Sequence, residues 1–161
     1  MRRAPLTTVR KLPRLELDVS YASSSPWVPS ARLLRRWAGA ALSDTAKPVV
    51  LSMHIVGKAR SRSLNGRYRR KDKPTNVLSF AGAGRAPDGR LFLGELVICA
   101  PLVAAEAQAQ HKSLQAHWAH LTVHGVLHLL GFDHLGAAEA VKMEFFEIQV
   151  LDGLGFSDPY R

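Results

Sequence analysis

Residues 113–134 decide the fold, and they read SLQAHWAHLTVHGVLHLLGFDH. Ser113 is a preferred helix N-cap, and Gly131 accepts a positive φ cheaply, so these two residues predict where a helix begins and ends. Positions 113–132 carry no Asp, Glu, Lys or Arg, a length that would span a bilayer. Imidazoles facing lipid would be costly, however. The stretch therefore predicts a buried helix with a stripe of histidines.

Three of these histidines have the spacing of a metal site. His124, His128 and His134 form the pattern His-x-x-x-His-x-x-Gly-x-x-His, which is the spacing of the metzincin zinc proteases. On a helix His124 and His128 project from one face, and a turn at Gly131 would bring His134 back toward the same metal. Three imidazoles suit zinc and leave a fourth position for water. We therefore predict one catalytic Zn²⁺ per chain.

The sequence departs from the protease pattern in one informative position. Zinc proteases carry a general-base Glu directly after the first histidine, whereas this chain has Gly125. The departure weakens peptide hydrolysis as an interpretation but leaves other zinc-dependent hydrolysis open. His117 and His120 lie one and two turns earlier on the same helix. We interpret them as core groups, or as groups hydrogen-bonded to backbone or carboxylate, rather than as ligands.

Positive charge is concentrated before the histidine helix. The chain has a formal net charge of +9, and residues 58–73 are its densest basic stretch, opposed only by Asp72. Such clustering is expected of a protein that binds phosphates, and a solvated basic surface is the alternative. The basic residues in this stretch are Lys58, Arg60, Arg62, Arg67, Arg69, Arg70, Lys71 and Lys73.

Composition and length bound the remaining possibilities. With 161 residues, 47% of them apolar, the chain is expected to form one globular domain, 1–161. Its single cysteine, Cys99, excludes an internal disulfide and a cysteine-based zinc cage. Residues 1–11 supply no apolar core for an export signal, so we expect a cytoplasmic protein without membrane contact.

Hydrophobic periodicity predicts a small sheet packed against helices. The predicted strands are 15–19, 49–56, 76–80 and 91–99, with a glycine-rich loop at 82–89. Helices are predicted from Ser30 to Leu42, from Pro101 to about Gln110, from Ser113 to Leu130 and over 137–151, plus a short one around 61–65. The helix over 137–151 should bury Val141, Phe145, Ile148 and Leu151. The fold class is therefore α+β (an α/β-type layer), a mixed four-stranded sheet with about five helices and a zincin-like metal-site helix.

Several motifs resemble the YbeY family of bacterial endoribonucleases, also called rRNA maturation factors. The resemblance runs from about Leu51 to Tyr160. Besides the histidine motif, it rests on residues 64–80 (LNGRYRRKDKPTNVLSF), 94–98 (GELVI) and 154–160 (LGFSDPY). Glu95 stands where the family commonly has Asp, and Phe132 where it often has Tyr.

The resemblance implies a function and a set of site residues. It makes His124, His128 and His134 the zinc ligands and Arg69 the catalytic arginine. It also implies cleavage of single-stranded RNA in 16S rRNA 3′-end maturation and ribosome quality control, with ribosomal RNA and the small ribosomal subunit as partners. An arginine fork suits such chemistry because it pairs bidentately with phosphate oxygens. An ion pair between Arg69 and Asp72 or Glu95 is the structural alternative.

The basic stretch supplies the candidate RNA contacts, and two other functions stay open. The first alternative is a zincin-like metallopeptidase, against which Gly125 and the positive charge argue. The second is a non-catalytic RNA-binding factor in ribosome assembly whose zinc is structural. The oligomeric state is left open. The candidate RNA contacts are Lys58, Arg67, Tyr68, Arg70, Lys71 and Lys73.

Overall fold

A mixed four-stranded sheet forms the centre of the described structure. The computed structural model describes residues 14–24, 26–42, 48–132 and 135–161. Strands β1, β2 and β4 are parallel, and β3 pairs antiparallel with β4, so the strand order is β1-β2-β4-β3. The strands are β1 (Leu15–Tyr21), β2 (Val49–Val56), β3 (Val77–Arg85) and β4 (Leu91–Cys99).

Five helices accompany the sheet in the described part of the chain. This arrangement confirms the predicted α+β class with its mixed four-stranded sheet. None of these helices is long and apolar enough to cross a membrane. The helices are α1 (Ala31–Ala41), α2 (Lys58–Arg69), α3 (Ala100–Ala109), α4 (Leu114–Leu129) and α5 (Ala137–Gly153).

Two helices begin at the serines that the sequence indicates. The Ser30 hydroxyl accepts a hydrogen bond from the Leu33 amide at 3.2 Å, and the Ser113 hydroxyl accepts one from the Ala116 amide at 3.1 Å. Each serine thereby satisfies an amide that has no partner within its own helix. Ser113 thus fixes the start of the histidine helix α4.

The basic segment is more regular than its sequence predicts. A short helix around 61–65 was expected, but α2 runs from Lys58 to Arg69. Its two buried polar residues explain the difference, because they attach the helix to the following loop. The Ser61 hydroxyl donates to the Thr75 carbonyl at 2.8 Å, and the Asn65 amide donates to the Lys73 carbonyl at 2.8 Å. Hydrophobic periodicity does not register such anchors.

Strand β3 is also longer than predicted. The glycine-rich stretch that was expected to begin a loop continues the strand through Gly84 to Arg85. Antiparallel pairing with β4 extends to the pair Arg85 and Leu91, so neighbouring backbone, rather than side-chain preference, defines the strand. The turn itself is confined to residues 86–90, where the Ala86 amide donates to the Arg90 carbonyl at 2.8 Å.

The two faces of the sheet are covered differently. Helices α1 and α4 pack on one face, and α5 packs against these two helices. The main core formed there includes Trp37, Met53, Leu96 and Trp118. Helix α2 covers part of the other face over a smaller apolar cluster. The histidine helix therefore lies against the large core and the basic helix on the opposite side.

The buried face of α5 differs from the predicted one. Val141 and Phe145 are 67% and 56% exposed, so placing them in the core was wrong. Leu151 is buried as predicted, and Met143 and Glu147 are buried with it. The spacing of four residues is typical of one helix face. Hydrophobic periodicity does not identify this face, because Glu147 at its centre is acidic.

Candidate metal centre

Helix α4 presents a pair of imidazoles at the edge of the core. The ring centroids of His124 and His128 lie 4.7 Å apart, with the ring planes 79° from parallel. Both side chains are partly exposed, whereas Gly125, Val126 and Leu127 between them are buried. The spacing of four residues therefore does what the sequence predicts: it places two nitrogen donors side by side.

A fully buried carboxylate holds one of these rings. Glu147 of α5 is 0% exposed. It accepts a hydrogen bond from Nδ1 of His124, another at 3.2 Å from Nε2 of His120, and a third from the Tyr160 hydroxyl. Burial by itself would raise the pKa of Glu147, but the bonds from the two histidines and the tyrosine outweigh it and lower the pKa to about 2. The same contact and burial raise the pKa of Tyr160.

The bond to Glu147 determines which nitrogen of His124 faces a metal. Because Nδ1–H donates to the carboxylate, Nε2 is the nitrogen with a lone pair suited to coordination. A carboxylate behind a histidine ligand is the usual way in which proteins fix its tautomer and ring orientation. The donor set around His124 and His128 therefore fits a divalent metal such as zinc.

The same groups permit a second arrangement. Ligand atoms of His120, His124 and Glu147 lie within 4.8 Å of one another, which is close enough to hold a metal directly. In that case Glu147 would be a ligand rather than a support. The Nδ1 atom of His120 is buried and has no hydrogen-bond partner among the described residues, so its Nε2 is the atom directed at the cluster.

His117, nearer the start of α4, belongs to a separate hydrogen-bonded group. Its Nε2 lies 2.7 Å from Glu106 of α3, and the Asn76 side-chain amide donates to the same carboxylate oxygen at 3.2 Å. Although burial opposes it, this bonding lowers the pKa of Glu106. Both His117 and His120 thus bond carboxylates, which confirms that part of their interpretation from the sequence.

Helix α4 ends at Gly131, as predicted. Gly131 has a φ of +99°, its amide donates to the His128 carbonyl at 3.0 Å, and the Phe132 amide donates to the Leu127 carbonyl at 3.1 Å. This pair of bonds is the Schellman motif. An added Cβ at Gly131 would meet no atom within 4 Å, so its φ, not a tight contact, calls for glycine. The predicted third ligand, His134, lies outside the described residues.

At Gly125, by contrast, a close contact with the sheet, and not a positive φ, favours glycine. A Cβ there would lie 2.8 Å from Cδ2 of Leu96 on strand β4 and 3.4 Å from Val77 on β3. The position after the first histidine therefore faces the sheet at close range. A larger residue there would have to displace the Leu96 side chain, and with glycine at this position the helix carries no general base directly after His124.

Arg69, at the end of α2, contacts β3, an edge strand of the described sheet. One guanidinium nitrogen donates to the Ser79 carbonyl at 2.9 Å, and the guanidinium lies 5.6 Å from the centre of the Phe80 ring. The Ser79 hydroxyl in turn lies 3.5 Å from the carbonyl of Gly125, the neighbour of His124. Strand β3 thus connects the predicted catalytic arginine to the histidine helix.

The carboxylates considered as partners of Arg69 are engaged elsewhere. Asp72 forms a two-pronged ion pair with Arg62, at 2.7 and 3.0 Å, which lowers the pKa of Asp72. Glu95 lies 3.2 Å from His54. Within the described residues Arg69 has no ion pair, so the structural alternative for this residue is wrong for both named partners.

The candidate RNA contacts share one exposed surface. They lie on α2 and in the turn that follows it, on the opposite side of the sheet from α4. Arg70 ends α2 in the left-handed conformation, with a φ of 57°, and the guanidinium of Arg67 lies 5.3 Å from the centre of the Tyr68 ring. The exposed contacts are Lys58, Arg67, Tyr68, Arg70, Lys71 and Lys73.

Sequence reasoning missed Glu147, Tyr160 and Glu106. The spacing of Met143, Glu147 and Leu151 would have placed the Glu on a buried face, opposite a helix rich in histidine. Tyr160 lies in the 154–160 motif, but nothing in that motif signals its partner, which lies 13 residues earlier in the chain.

The fold thus brings together paired imidazoles on α4, a buried carboxylate bonded to one of them and, linked through β3, an arginine. A solved protein from Thermotoga maritima, known from its solution structure, has the same fold. The match has a TM-score of 0.57 and 19% sequence identity, and covers 91% of this chain and 99% of that one. The family model described as endoribonuclease YbeY matches residues 28–155. The chain therefore belongs to the YbeY family, whose members are endoribonucleases of rRNA maturation.

Proposed function

We propose that this protein is a zinc-dependent endoribonuclease that cleaves single-stranded RNA in the 3′-end maturation of 16S rRNA. In this proposal it acts in the cytoplasm as one domain, 1–161, on ribosomal RNA and the small ribosomal subunit. The observation that carries the proposal is the bond between Nδ1 of His124 and the buried Glu147, beside the ring of His128.

The proposed zinc ligands are His124, His128 and His134. Glu147 supports the first of them from behind, which is a common arrangement around metal-binding histidines. Full burial and three hydrogen-bond donors favour this supporting role over direct ligation. When bound, zinc supplies Lewis acidity and a water of lowered pKa at this position.

Arg69 is proposed to clamp the phosphate at the cleavage site. Its backbone contact with Ser79 and its position over Phe80 hold the guanidinium at the sheet edge, where Ser79 links β3 to the helix that carries His124. With no ion pair among the described residues, the guanidinium keeps donors for phosphate oxygens. A fixed cation at the point where charge develops stabilises the transition state without reorganisation.

Two alternatives have less support. A zincin-like peptidase needs a general base after the first histidine, and this chain has Gly125 there, packed closely against Leu96. A non-catalytic RNA-binding assembly factor with a structural zinc would not need an arginine kept apart from carboxylates. It therefore predicts that Arg69 behaves like any other cation of α2.

One experiment tests the ligands and the reaction together. Tag-free protein and its His128→Ala, His120→Ala and Arg69→Ala variants are purified, analysed for metal, and incubated with labelled single-stranded RNA and with casein. We expect about one zinc per chain, cleavage of RNA only, loss of metal and cleavage in His128→Ala, and a weaker metal site in His120→Ala, by about 10- to 100-fold. Arg69→Ala should keep its metal and lose cleavage.

Lys58→Ala is the matched control for Arg69→Ala, since it also removes an exposed cation of α2 and should weaken RNA binding only. Loss of zinc in His120→Ala but not in His128→Ala would assign the site to His120, His124 and Glu147 instead. Equal, modest effects of Arg69→Ala and Lys58→Ala would favour the assembly factor.

A further inference from the structure

The face of the sheet that α2 partly covers contains a cleft. Its volume of about 750 Å³ lies in the range typical of ligand sites. The apolar lining comes from Val56, Leu64 and Val97, and one aromatic wall is formed by Tyr68 and Phe80. The cleft lies on the opposite side of the sheet from the histidine helix.

A row of three polar side chains crosses the other wall. The Ser20 hydroxyl lies 2.7 Å from Nδ1 of His54, and Nε2 of His54 lies 3.2 Å from Oε1 of Glu95. The three residues come from β1, β2 and β4, which are neighbours in the sheet. With the histidine ring bonded on both sides, the second oxygen of Glu95 has no hydrogen-bond partner among the described residues.

This row is not arranged as a serine hydrolase triad. In such a triad the serine bonds Nε2 of the histidine and the acid bonds Nδ1. Here the serine is at Nδ1 and the acid at Nε2. We therefore interpret the row as a hydrogen-bonding surface that presents a fixed carboxylate oxygen.

The charges around the cleft favour an anionic strand as its occupant. Arg60 lines the cleft, and the other cations of α2 continue the positive surface beyond it. The ring of Tyr68 is 50% exposed and contacts Phe80 edge-on, with the ring centres 5.1 Å apart. A half-exposed aromatic ring next to cations is the combination that binds single-stranded nucleic acid, because bases stack on the ring and phosphates pair with the cations.

The cleft is connected to the candidate metal centre around the edge of the sheet. Phe80 lines the cleft, and its ring supports the guanidinium of Arg69. Ser79, the preceding residue, contacts both Arg69 and the backbone of the histidine helix. Because β3 is the edge strand of the described sheet, a strand of RNA can pass over it from one face to the other.

From this geometry we infer that the cleft binds one base of the RNA strand and favours bases with an exocyclic amino group over uracil. The inference rests on the proposed function for its ligand class. The base stacks on Tyr68, and its amino group donates to Glu95. Cytosine, adenine and guanine carry such a donor, whereas uracil would place a carbonyl oxygen against the carboxylate.

The test compares short RNAs that differ only in their base. Fluorescein-labelled 2′-O-methyl hexamers of cytidine and of uridine are titrated into the full-length protein and followed by anisotropy, and each probe is checked on a gel afterwards. We expect the cytidine hexamer to bind at least about fivefold tighter. In Glu95→Gln, whose amide also donates to carbonyl oxygens, this preference should disappear or reverse. Tyr68→Ala should weaken both probes about tenfold.

Glu16→Gln is the matched control, since it makes the same charge change on β1 outside the cleft lining and should keep the preference. Equal binding of the two hexamers by the unaltered protein, or a cytidine preference that survives in Glu95→Gln, would overturn the inference. Since binding is measured without cleavage, these outcomes are independent of the proposed reaction. If the protein cleaves RNA but shows no base preference, the inference about the cleft is rejected and the proposed endoribonuclease function stands.

Discussion

Glu147 is the residue on which the candidate metal centre depends most. It is fully buried, and its two oxygens accept hydrogen bonds from His120, His124 and Tyr160. A buried carboxylate without such partners would be strongly unfavourable. The bonds therefore do two things at once, since they stabilise the charge and fix the ring of His124.

Glu147→Gln is predicted to weaken the metal site more than the fold. The amide has one acceptor oxygen and places an N–H₂ group against N–H and O–H donors, so His124 loses its orientation. We expect zinc affinity to fall about 10- to 100-fold, as for other residues behind metal ligands. The free energy of unfolding of the metal-free protein should fall by about 1–3 kcal/mol. Competition with a zinc-binding dye and urea unfolding measure the two quantities.

Glu144→Gln is the control, because Glu144 is exposed on the same helix. It should leave both quantities unchanged. Unaltered zinc affinity in Glu147→Gln would show that this carboxylate neither orients nor ligates the metal.

At the scale of elements, the end of α4 is predicted to govern the third ligand. The positive φ of Gly131 strains any residue with a Cβ, at a cost of about 1 kcal/mol or more, while the open space around it adds no clash. If this turn positions His134, Gly131→Val should lower zinc affinity by more than the loss of stability of the metal-free protein accounts for. Gly131→Ala should have the same effect to a smaller extent. Zinc titration and apo unfolding midpoints compare the two effects.

A second glycine provides the control for this comparison. Gly153 ends α5, and a Cβ there would also meet nothing within 4 Å, but its backbone is not in the left-handed region. Gly153→Ala should therefore be neutral or slightly stabilising. A loss of stability in the Gly131 variants with unchanged zinc affinity would mean that His134 is not held by this turn.

The contact between α3 and α4 should make stability depend on pH. Bonds from His117 and Asn76 lower the pKa of Glu106 despite its burial. A carboxyl whose pKa is lower in the folded state stabilises the fold above its unfolded pKa, about 4.3, and loses this contribution as the pH falls through the lower, folded value. Glu106→Gln should therefore destabilise the protein at pH 7, and the gap should shrink below about pH 4.

Urea unfolding of both proteins at several pH values measures this gap. Asp152→Asn, which changes an exposed acid on α5, should show no comparable gap. A gap between Glu106→Gln and the unaltered protein that stays constant from pH 7 to pH 3 would contradict the assignment.

The sequence predicted elements well where side chains alone determine them. Serine caps, the glycine turn and the runs of β-branched residues located α1, α4, β2 and β4 within a residue or two. The predictions from the sequence were wrong where contacts with residues distant in the chain determine the length of an element. The length of α2 depends on bonds from Ser61 and Asn65 to a later loop, and β3 is extended by pairing with β4. For the same reason the pair His124 and His128 was predicted, but Glu147 was not.

For the whole molecule, the uneven charge should dominate RNA affinity. The net charge of +9 is concentrated on and around α2. Each phosphate contact contributes about −0.7 to the slope of log affinity against log salt for a single strand. About five contacts would then lower affinity about a hundredfold between 50 and 200 mM salt. Lys71→Ala should reduce the slope by about one contact, as measured by anisotropy with a labelled RNA.

Lys142→Ala on α5 is the control, since it removes a positive charge on the other side of the sheet, and the slope should not change. A slope near zero for the unaltered protein would show that phosphates do not dominate binding, and it would argue against an RNA substrate.

Three separate segments must come together around Glu147 before the proposed active site is complete. Helix α4 supplies two of the donors, α5 the carboxylate, and the segment after α5 supplies Tyr160. Removing one partner leaves the buried carboxylate with fewer hydrogen-bond donors, which is destabilising. A chain that lacks one of these segments is therefore expected to lose the orientation of His124 on which the proposed cleavage depends. The proposed nuclease would then be active only in molecules in which α4, α5 and the segment after α5 are all in place.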